Sequence, residues 1–242
     1  MVHAFSISDI GQKRVNNQDS VFCSETPVGP LPNLFIVADG MGGHKGGEFA
    51  SLSAVETMQA YIQKSKEASP VLIFKEAING ANTSICARSF LDEELEGMGT
   101  TVVAASCIGD KLQVANVGDS RLYIVNDTIT QITVDHSLVE EMVRMGSLDR
   151  SLARSHPSRN IITRAIGVGS EVHPDYFTVT LKAGDIILMC SDGLTNMLSD
   201  EEILAIVSKE GELEAKTNEL LLAANHNGGL DNISVILIDP SL

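Results

Sequence analysis

Positive charge is scarce in this chain of 242 residues, since 17 Lys and Arg stand against 32 Asp and Glu, a formal net charge of −15. Nucleic-acid binding requires a surplus of Lys and Arg on one face, so we expect no nucleic-acid partner. Long apolar runs are also lacking: the longest, residues 186–190 and 233–238, are far shorter than the roughly 20 residues that cross a bilayer. We therefore expect no membrane partner.

Paired cysteines and linkers are missing too. The four cysteines form no Cys-x-x-Cys pair, and the first residues lack a basic stretch followed by an apolar one. These absences predict a reduced, cytoplasmic protein. Because no repeat, low-complexity tract or long Pro/Gly-rich linker divides the chain, we expect a single domain over residues 1–242, acting as a monomer.

Short β-branched segments bounded by Gly, Asp and Asn predict strands, and segments with apolar residues at three- and four-residue steps predict helices. The predicted strands are residues 4–7, 34–38, 100–108, 112–117, 121–125, 177–181, 185–190 and 232–238. The predicted helices are residues 48–64, 70–90, 138–145, 201–208 and 214–225. Two hairpins are expected, one around residues 109–110 and one around residues 126–128. Because the strands cluster instead of alternating with helices, the pattern favours an α+β domain with antiparallel sheets.

Four aspartates occupy the ends of predicted strands. Asp39 and Asp192 each follow a buried strand and precede a glycine, Asp119 ends a third strand, and Asp231 immediately precedes the last one. A single Asp-Gly pair is typical of a turn. Four such carboxylates converging at one edge would repel each other unless cations neutralise them. Because the potential ligands are oxygens, with no His or Cys at ligand spacing, magnesium or manganese is favoured over zinc.

Glycines are concentrated in residues 39–47, directly after a strand. Neither Gly-x-x-x-x-Gly-Lys-Ser/Thr nor Gly-x-Gly-x-x-Gly fits this stretch, so it is not a nucleotide-binding loop of those types. We interpret the glycines as allowing the backbone to approach a metal closely, with a carbonyl as a ligand.

Six motifs occur in a fixed order along the chain. They are Gly11-Gln-Lys-Arg14-Val-Asn-Asn17-Gln-Asp19, Ala38-Asp-Gly-Met-Gly-Gly-His44, Gly99-Thr-Thr101, Gly118-Asp-Ser-Arg121, Cys190-Ser-Asp-Gly193 and Gly229-Leu-Asp-Asn-Ile233. Together they resemble the metal-dependent protein phosphatase 2C family in its compact bacterial form, from about Ser8 to Ile238. The resemblance implies a four-layer α-β-β-α sandwich of two antiparallel sheets flanked by helices. It also implies a serine/threonine phosphoprotein phosphatase that hydrolyses phosphomonoesters with a metal-activated water.

The resemblance assigns roles to individual residues. Asp39 would bridge two Mn²⁺ or Mg²⁺ ions, with the Gly40 carbonyl on one of them, and Asp192 and Asp231 would complete the first metal's shell. Asp119 would join Asp192 in a third, looser metal site.

Three further positions in these motifs bear on charge and proton transfer. Arg14 would clamp the phosphate, since a guanidinium matches phosphate oxygens in a bidentate manner; a surface ion pair is the alternative. Some relatives carry Glu at the position of Gln18, and a neutral amide cannot neutralise a metal ion. The negative charge from this motif would therefore come from Asp19, acting on the metal through a water. Distant relatives carry a proposed general-acid His where this chain has Met41, and a thioether cannot donate a proton. We expect a metal-coordinated water to be the donor, with His44 as the alternative.

Positive charge is concentrated in residues 144–164, where five arginines accompany the single acid Asp149. In the family this stretch includes the flap beside the cleft, so a basic flap could collect phosphorylated proteins, the substrates of a Ser/Thr kinase. The alternative is that these arginines pair with nearby carboxylates. For the whole chain, the alternatives are a catalytically silent pseudophosphatase and a partner-switching phosphatase for a phosphorylated anti-sigma antagonist.

Overall fold

The computed structural model of the protein describes residues 2–43 and 45–241. Its strands are β1 (His3–Asp9), β2 (Asp19–Ser24), β3 (Leu34–Met41), β4 (Gly99–Thr100), β5 (Val102–Ile108), β6 (Lys111–Val117), β7 (Arg121–Val125), β8 (Ile129–Gln131), β9 (Asp175–Thr180), β10 (Ile186–Cys190) and β11 (Ile233–Asp239). The helices are α1 (Gly46–Lys64), α2 (Pro70–Leu91), α3 (Leu138–Arg144), α4 (Arg150–Ala153), α5 (Asp192–Thr195), α6 (Asp200–Val207) and α7 (Leu213–His226), with a short 3-10 helix at Glu93–Leu95.

The strands form two antiparallel sheets. The five-stranded sheet has the order β1-β11-β10-β7-β8, and the six-stranded sheet has the order β2-β3-β5-β6-β9, with β4 paired to β3. Both expected hairpins are present, β5 with β6 and β7 with β8. The chain between β2 and β3 turns back on itself, with a bridge between Val28 and Leu31.

Alternation along the central strands places apolar side chains on both faces of each sheet. In β3, Leu34 and Ile36 pack in the cluster that holds the buried faces of α1 and α2, whereas Phe35 and Val37 pack between the two sheets. In β11, Val235 packs in the cluster that holds the buried residues of α6 and α7. Each such buried side chain contributes roughly 1.5–3 kcal/mol. The result is the four-layer α-β-β-α sandwich, so the predicted fold class is confirmed.

The strand β2 was not predicted from the sequence. It lies at the edge of the six-stranded sheet and is mostly half-buried, so its residues give only a weak apolar signal. The predicted strand over residues 100–108 is interrupted at Thr101, whose backbone N–H donates to the Asp39 carbonyl at 2.9 Å. The short helices α4 and α5 were also missed. Among the described residues, no helix has the length and apolar character that a bilayer crossing requires.

Candidate metal centre

The strand-end aspartates meet at one end of the sandwich. Asp39 lies near the end of β3, Asp119 in the turn between β6 and β7, Asp192 at the start of α5 directly after β10, and Asp231 just before β11. All four line one cavity of about 250 Å³. Elements from both sheets therefore contribute carboxylates to a common site, as the strand-end pattern predicted.

Arg14 and Gly40 line the same cavity, whereas Asp19 lies behind it. Asp19 is the direct antiparallel partner of Asp39 in the pairing of β2 with β3, and only 8% of it is exposed. Its Oδ2 accepts a hydrogen bond from the Ser191 hydroxyl at 2.7 Å. Asp19 thus adds a buried carboxylate beneath Asp39.

Close backbone contacts bring these segments together. A Cβ on Gly193 would lie 1.9 Å from the backbone oxygen of Asn232, so a glycine at this position lets the segments that carry Asp192 and Asp231 touch. A Cβ on Gly40 would lie 2.0 Å from the Gly47 oxygen. The glycines of residues 39–47 therefore also serve to pack the end of β3 against the start of α1, a reason the sequence did not reveal.

Burial and mutual repulsion disfavour the charged forms of these carboxylates. Burial, with a smaller effect from Asp192, raises the pKa of Asp119 to about 8. Burial raises the pKa of Asp19 to about 7 and places the pKa of Asp39 well above its usual range. Burial, followed by the neighbouring Asp231, also raises the pKa of Asp192. The protein alone stabilises this concentration of negative charge poorly.

Two carboxylate oxygens point to what would stabilise it. Oδ1 of Asp19 and Oδ1 of Asp192 are buried and have no hydrogen-bond partner within the described part of the chain. Buried oxygens without donors are costly unless another group occupies the position. The oxygen atoms that could coordinate a cation here belong to carboxylates and to the Gly40 carbonyl. Such an oxygen-only set fits a hard cation such as Mg²⁺ or Mn²⁺.

The ligand set is not preassembled around one point. Across residues 2–43 and 45–241, no group of three or more His, Cys, Asp or Glu side chains is already placed to hold a metal ion. Two of the carboxylates are engaged by the protein instead. Oδ2 of Asp231 accepts from Nη2 of Arg14 at 2.7 Å, and Oδ2 of Asp192 accepts from Asn196 at 2.9 Å. In Asp192 the second oxygen, Oδ1, is the one without a hydrogen-bond partner among the described residues.

Arg14 lies at the mouth of the cavity. Its side chain is 50% exposed, and within the described residues only Nη2 donates to a protein group. The hydrogen bond from Arg14 to Asp231, with smaller effects of Asp39 and Asp192, raises the pKa of the guanidinium. Arg14 is therefore a permanent cation whose remaining donors are free to meet an anion.

Several residues that orient the site were not identified from the sequence. Oγ1 of Thr101 accepts from the backbone N–H of Asp39 at 3.0 Å. The Asn232 side chain accepts from the Gln18 N–H and donates to the carbonyls of Ile10 and Asn16, each at 2.9 Å. Asn232 thus ties the segment that carries Arg14 to the start of β11. The motifs that resemble the family contain both residues, but the contacts depend on the tertiary fold.

The position of the expected general acid holds Met41, whose side chain lines the cavity. The alternative donor, His44, lies outside the described residues. No histidine lines the cavity within the described part. Among the other histidines, His136 is buried and its Nδ1 accepts from the Gly118 N–H at 3.0 Å, so it has a structural role.

The basic flap, residues 144–164, borders the site. Asn160 and Ile162 line the metal-centre cavity. Arg150, Arg154 and Arg159 line an adjoining cavity of about 320 Å³, which also includes Asp119 and Asp192 in its walls.

The flap arginines differ in their pairing. Arg150 donates to Glu140 at 2.7 Å and Arg164 to Asp175 at 3.1 Å, which is the paired arrangement of the alternative interpretation. Arg154 and Arg159 form no ion pair with any residue that the structure describes. Arg144 also forms no ion pair among the described residues, but it does not line the adjoining cavity. Arg154 and Arg159 are therefore the two unpaired flap arginines that an external anion beside the site could meet.

Comparison with known proteins relates this arrangement to a family. The family model for protein phosphatase 2C matches residues 11–228. The serine/threonine phosphatase stp of Listeria innocua is 38% identical over 249 residues, covering 100% of this chain and 97% of that protein.

Solved structures agree with this match. The serine/threonine phosphatase of S. agalactiae superposes with a TM-score of 0.91 at 40% identity, covering 98% of this chain and 99% of that one. The catalytic domain of the phosphatase PstP, solved in complex with two manganese ions, gives a TM-score of 0.86 at 33% identity, covering 98% of this chain and 97% of that one. The chain thus belongs to the protein phosphatase 2C family and is a serine/threonine phosphatase.

Proposed function

We propose that this phosphatase acts on phosphorylated proteins, the products of a Ser/Thr kinase, and that it requires Mn²⁺ or Mg²⁺ in the carboxylate cavity. The observation that carries the proposal is the buried, mutually repelling carboxylate cluster. Its cationic neighbours are already engaged by other carboxylates, since the half-exposed Arg14 pairs with Asp231 and Arg121 pairs with Asp135. The presence of two manganese ions in the PstP structure supports the choice of metal. A catalytically silent relative would be expected to lack part of the cluster, and here all four strand-end aspartates face the cavity.

We assign the cation-binding groups as the resemblance implies. Two core ions would be held by Asp39, the Gly40 carbonyl, Asp192 and Asp231, and a third by Asp119 and Asp192, with Asp19 acting from behind. When bound, the cations would neutralise the cluster and activate a water for attack on phosphorus. The protein's own contribution is to keep these carboxylates in place through Thr101, Ser191 and Asn196.

Arg14, at the cavity mouth, would orient the phosphoryl group and offset charge on its oxygens. Its bond to Asp231 holds one edge of the guanidinium, so the other edge can face the substrate. Because Met41 cannot donate a proton, we infer that the leaving alcohol takes its proton from water in the open cavity.

The first prediction concerns the metal. Hydrolysis of a phosphothreonine peptide should stop on chelation and return with Mn²⁺ or Mg²⁺, and Asp39→Asn should lower kcat/KM at least about 100-fold because it removes a bridging charge. Asp39→Asn should fold as well as the wild type without metal, since it relieves repulsion in the cluster. Thermal unfolding of both proteins provides this check.

Asp127→Asn, in the exposed β7–β8 turn, removes one charge elsewhere and should change neither the activity nor the unfolding temperature. Full activity after chelation would contradict the proposal.

The second prediction concerns Arg14. Arg14→Ala should reduce kcat/KM for a phosphopeptide roughly 10- to 100-fold, the loss expected for one hydrogen bond to a charged group. KM should rise more than kcat falls if the contact is equal in the ground and transition states. The neighbouring Lys13→Ala removes the same charge from an exposed position and should have little effect. A fall in kcat alone would mean that the contact tightens only in the transition state, and no change would exclude Arg14 from phosphate binding.

The third prediction concerns the basic flap. Replacing Arg150, Arg154 and Arg159 together by Gln should lower kcat/KM for acidic phosphoproteins by about threefold to tenfold at low salt and flatten its salt dependence. Hydrolysis of a small aryl phosphate should be nearly unchanged. Since Arg150 already pairs with Glu140, Arg150→Gln alone should reproduce little of the effect. Equal losses on both substrates would show that these arginines support the fold or the metal centre instead.

A further inference from the structure

A second groove, with a volume of about 580 Å³, lies between the end of α2 and the loop of residues 167–170. Two of the residues that line it are apolar and exposed to solvent: Phe90 is 91% exposed and Val168 is 57% exposed. An almost wholly exposed aromatic ring and a second exposed apolar side chain therefore line the same groove. Neither residue contributes to the carboxylate cavity.

The groove is preformed. The Asn82 side chain on α2 accepts from the Gly167 N–H and donates to the Gly169 carbonyl, both at 2.8 Å. Ile166 and Thr100 exchange two backbone hydrogen bonds of 2.9 Å. Because the loop is fixed to α2 and to β4, little conformational entropy of the loop would be lost when a ligand binds there.

Met41 connects the groove to the metal centre. Its side chain lines the metal-centre cavity, and Val168 lines the groove. A Cβ on Gly99 would lie 2.7 Å from Cε of Met41 and 2.9 Å from Cγ1 of Val168, so both side chains pack over the same glycine. An extended polypeptide that leaves the metal centre over Met41 would reach the groove within a few residues.

The rim of the groove is acidic. Residues 92–96 contain four acids, and Glu93 and Glu96 line the groove. Arg88 lies 3.8 Å from Asp92, but Glu93 and Glu96 form no ion pair with any described residue. The groove therefore complements a segment that carries positive charge, in contrast to the flap, whose arginines complement negative charge.

We propose that this groove binds the part of a phosphoprotein substrate that flanks the phosphorylated residue, and that it accepts an apolar side chain next to Lys or Arg. The inference rests on the proposed function, because it requires the phosphoryl group to be held in the carboxylate cavity. Phe90 and Val168 would cover the apolar side chain, and Glu93 and Glu96 would face the basic one. The groove is then a specificity surface for the sequence around the phosphorylated residue.

The test compares Phe90→Ala with Leu91→Ala. Leu91 is the adjacent residue and is 78% exposed, but it does not line the groove.

The test substrates are phosphothreonine peptides that carry a Leu-Arg-Lys segment a few residues before or after the phosphothreonine. The controls are matched peptides with Ser-Gln-Gln in place of that segment, and a small aryl phosphate. The wild type should hydrolyse one of the Leu-Arg-Lys peptides with a higher kcat/KM than its matched Ser-Gln-Gln peptide. Phe90→Ala should lower kcat/KM for that Leu-Arg-Lys peptide about tenfold. The other substrates, and Leu91→Ala on all substrates, should be unaffected.

A second variant probes the charge. Glu93→Gln combined with Glu96→Gln should reduce the same preference and make it less sensitive to salt, whereas Glu94→Gln, whose residue does not line the groove, should not.

The results of these experiments distinguish failure of the proposed function from failure of the groove proposal. Failure of the wild type to hydrolyse even the aryl phosphate with Mn²⁺ would overturn the proposed function. Normal metal-dependent hydrolysis with no preference between peptides, or equal losses in Phe90→Ala on every substrate, would overturn the groove proposal alone. Sedimentation that shows a dimer dissociated by Phe90→Ala would assign the groove to a second copy of the chain and would also overturn it.

Discussion

The burial of several like-charged carboxylates at one place is the constraint on which the arrangement of this site depends. Asp19, Asp39, Asp119 and Asp192 are all largely buried at one end of the sandwich, and burial raises the pKa of each. A fold stabilised only by its own contacts would gain by replacing such a cluster with apolar residues. This is the basis of our proposal that cations from outside the chain complete the folded state.

The two-sheet sandwich makes this concentration of charge possible. Apolar layers on both faces of each sheet hold the strands rigidly, and the strand ends then carry polar groups to a common edge. A hydrogen bond from the Asp39 N–H to Thr101, together with hydrogen bonds donated by Ser191 and Asn232, fixes the backbone and side chains around the carboxylates. The cavity lined by the flap arginines shares Asp119 and Asp192 with this edge, and the groove with the acidic rim adjoins it where Met41 and Val168 pack over Gly99. In our proposal, these two surfaces of opposite charge lie beside the reacting centre and select substrates by the charge of the bound polypeptide.

Much of this organisation could be predicted from the sequence, because central strands and long amphipathic helices have strong periodic signals. The strand-end positions of the four aspartates were visible as soon as the strands were placed. The edge strand β2 was missed because its half-buried residues lack that signal.

The contacts that complete the site could not be predicted, since they join residues far apart in the chain. Arg14 meets Asp231 across 217 positions, and Gly193 is needed only because Asn232 lies against it. Likewise, the sequence could not decide whether the flap arginines pair internally; Arg150 and Arg164 do, whereas Arg154 and Arg159 do not within the described residues.

The most direct test of the central claim is a calorimetric titration of the metal-free protein with Mn²⁺, combined with thermal unfolding at each Mn²⁺ concentration. If cations complete the carboxylate cluster, at least two ions should bind per chain, and the unfolding temperature should rise with Mn²⁺ concentration as expected for a ligand that binds only the folded state. The same titration of Asp39→Asn should show weaker binding and a smaller rise. Absence of binding, or identical binding and stabilisation in the wild type and in Asp39→Asn, would contradict the account.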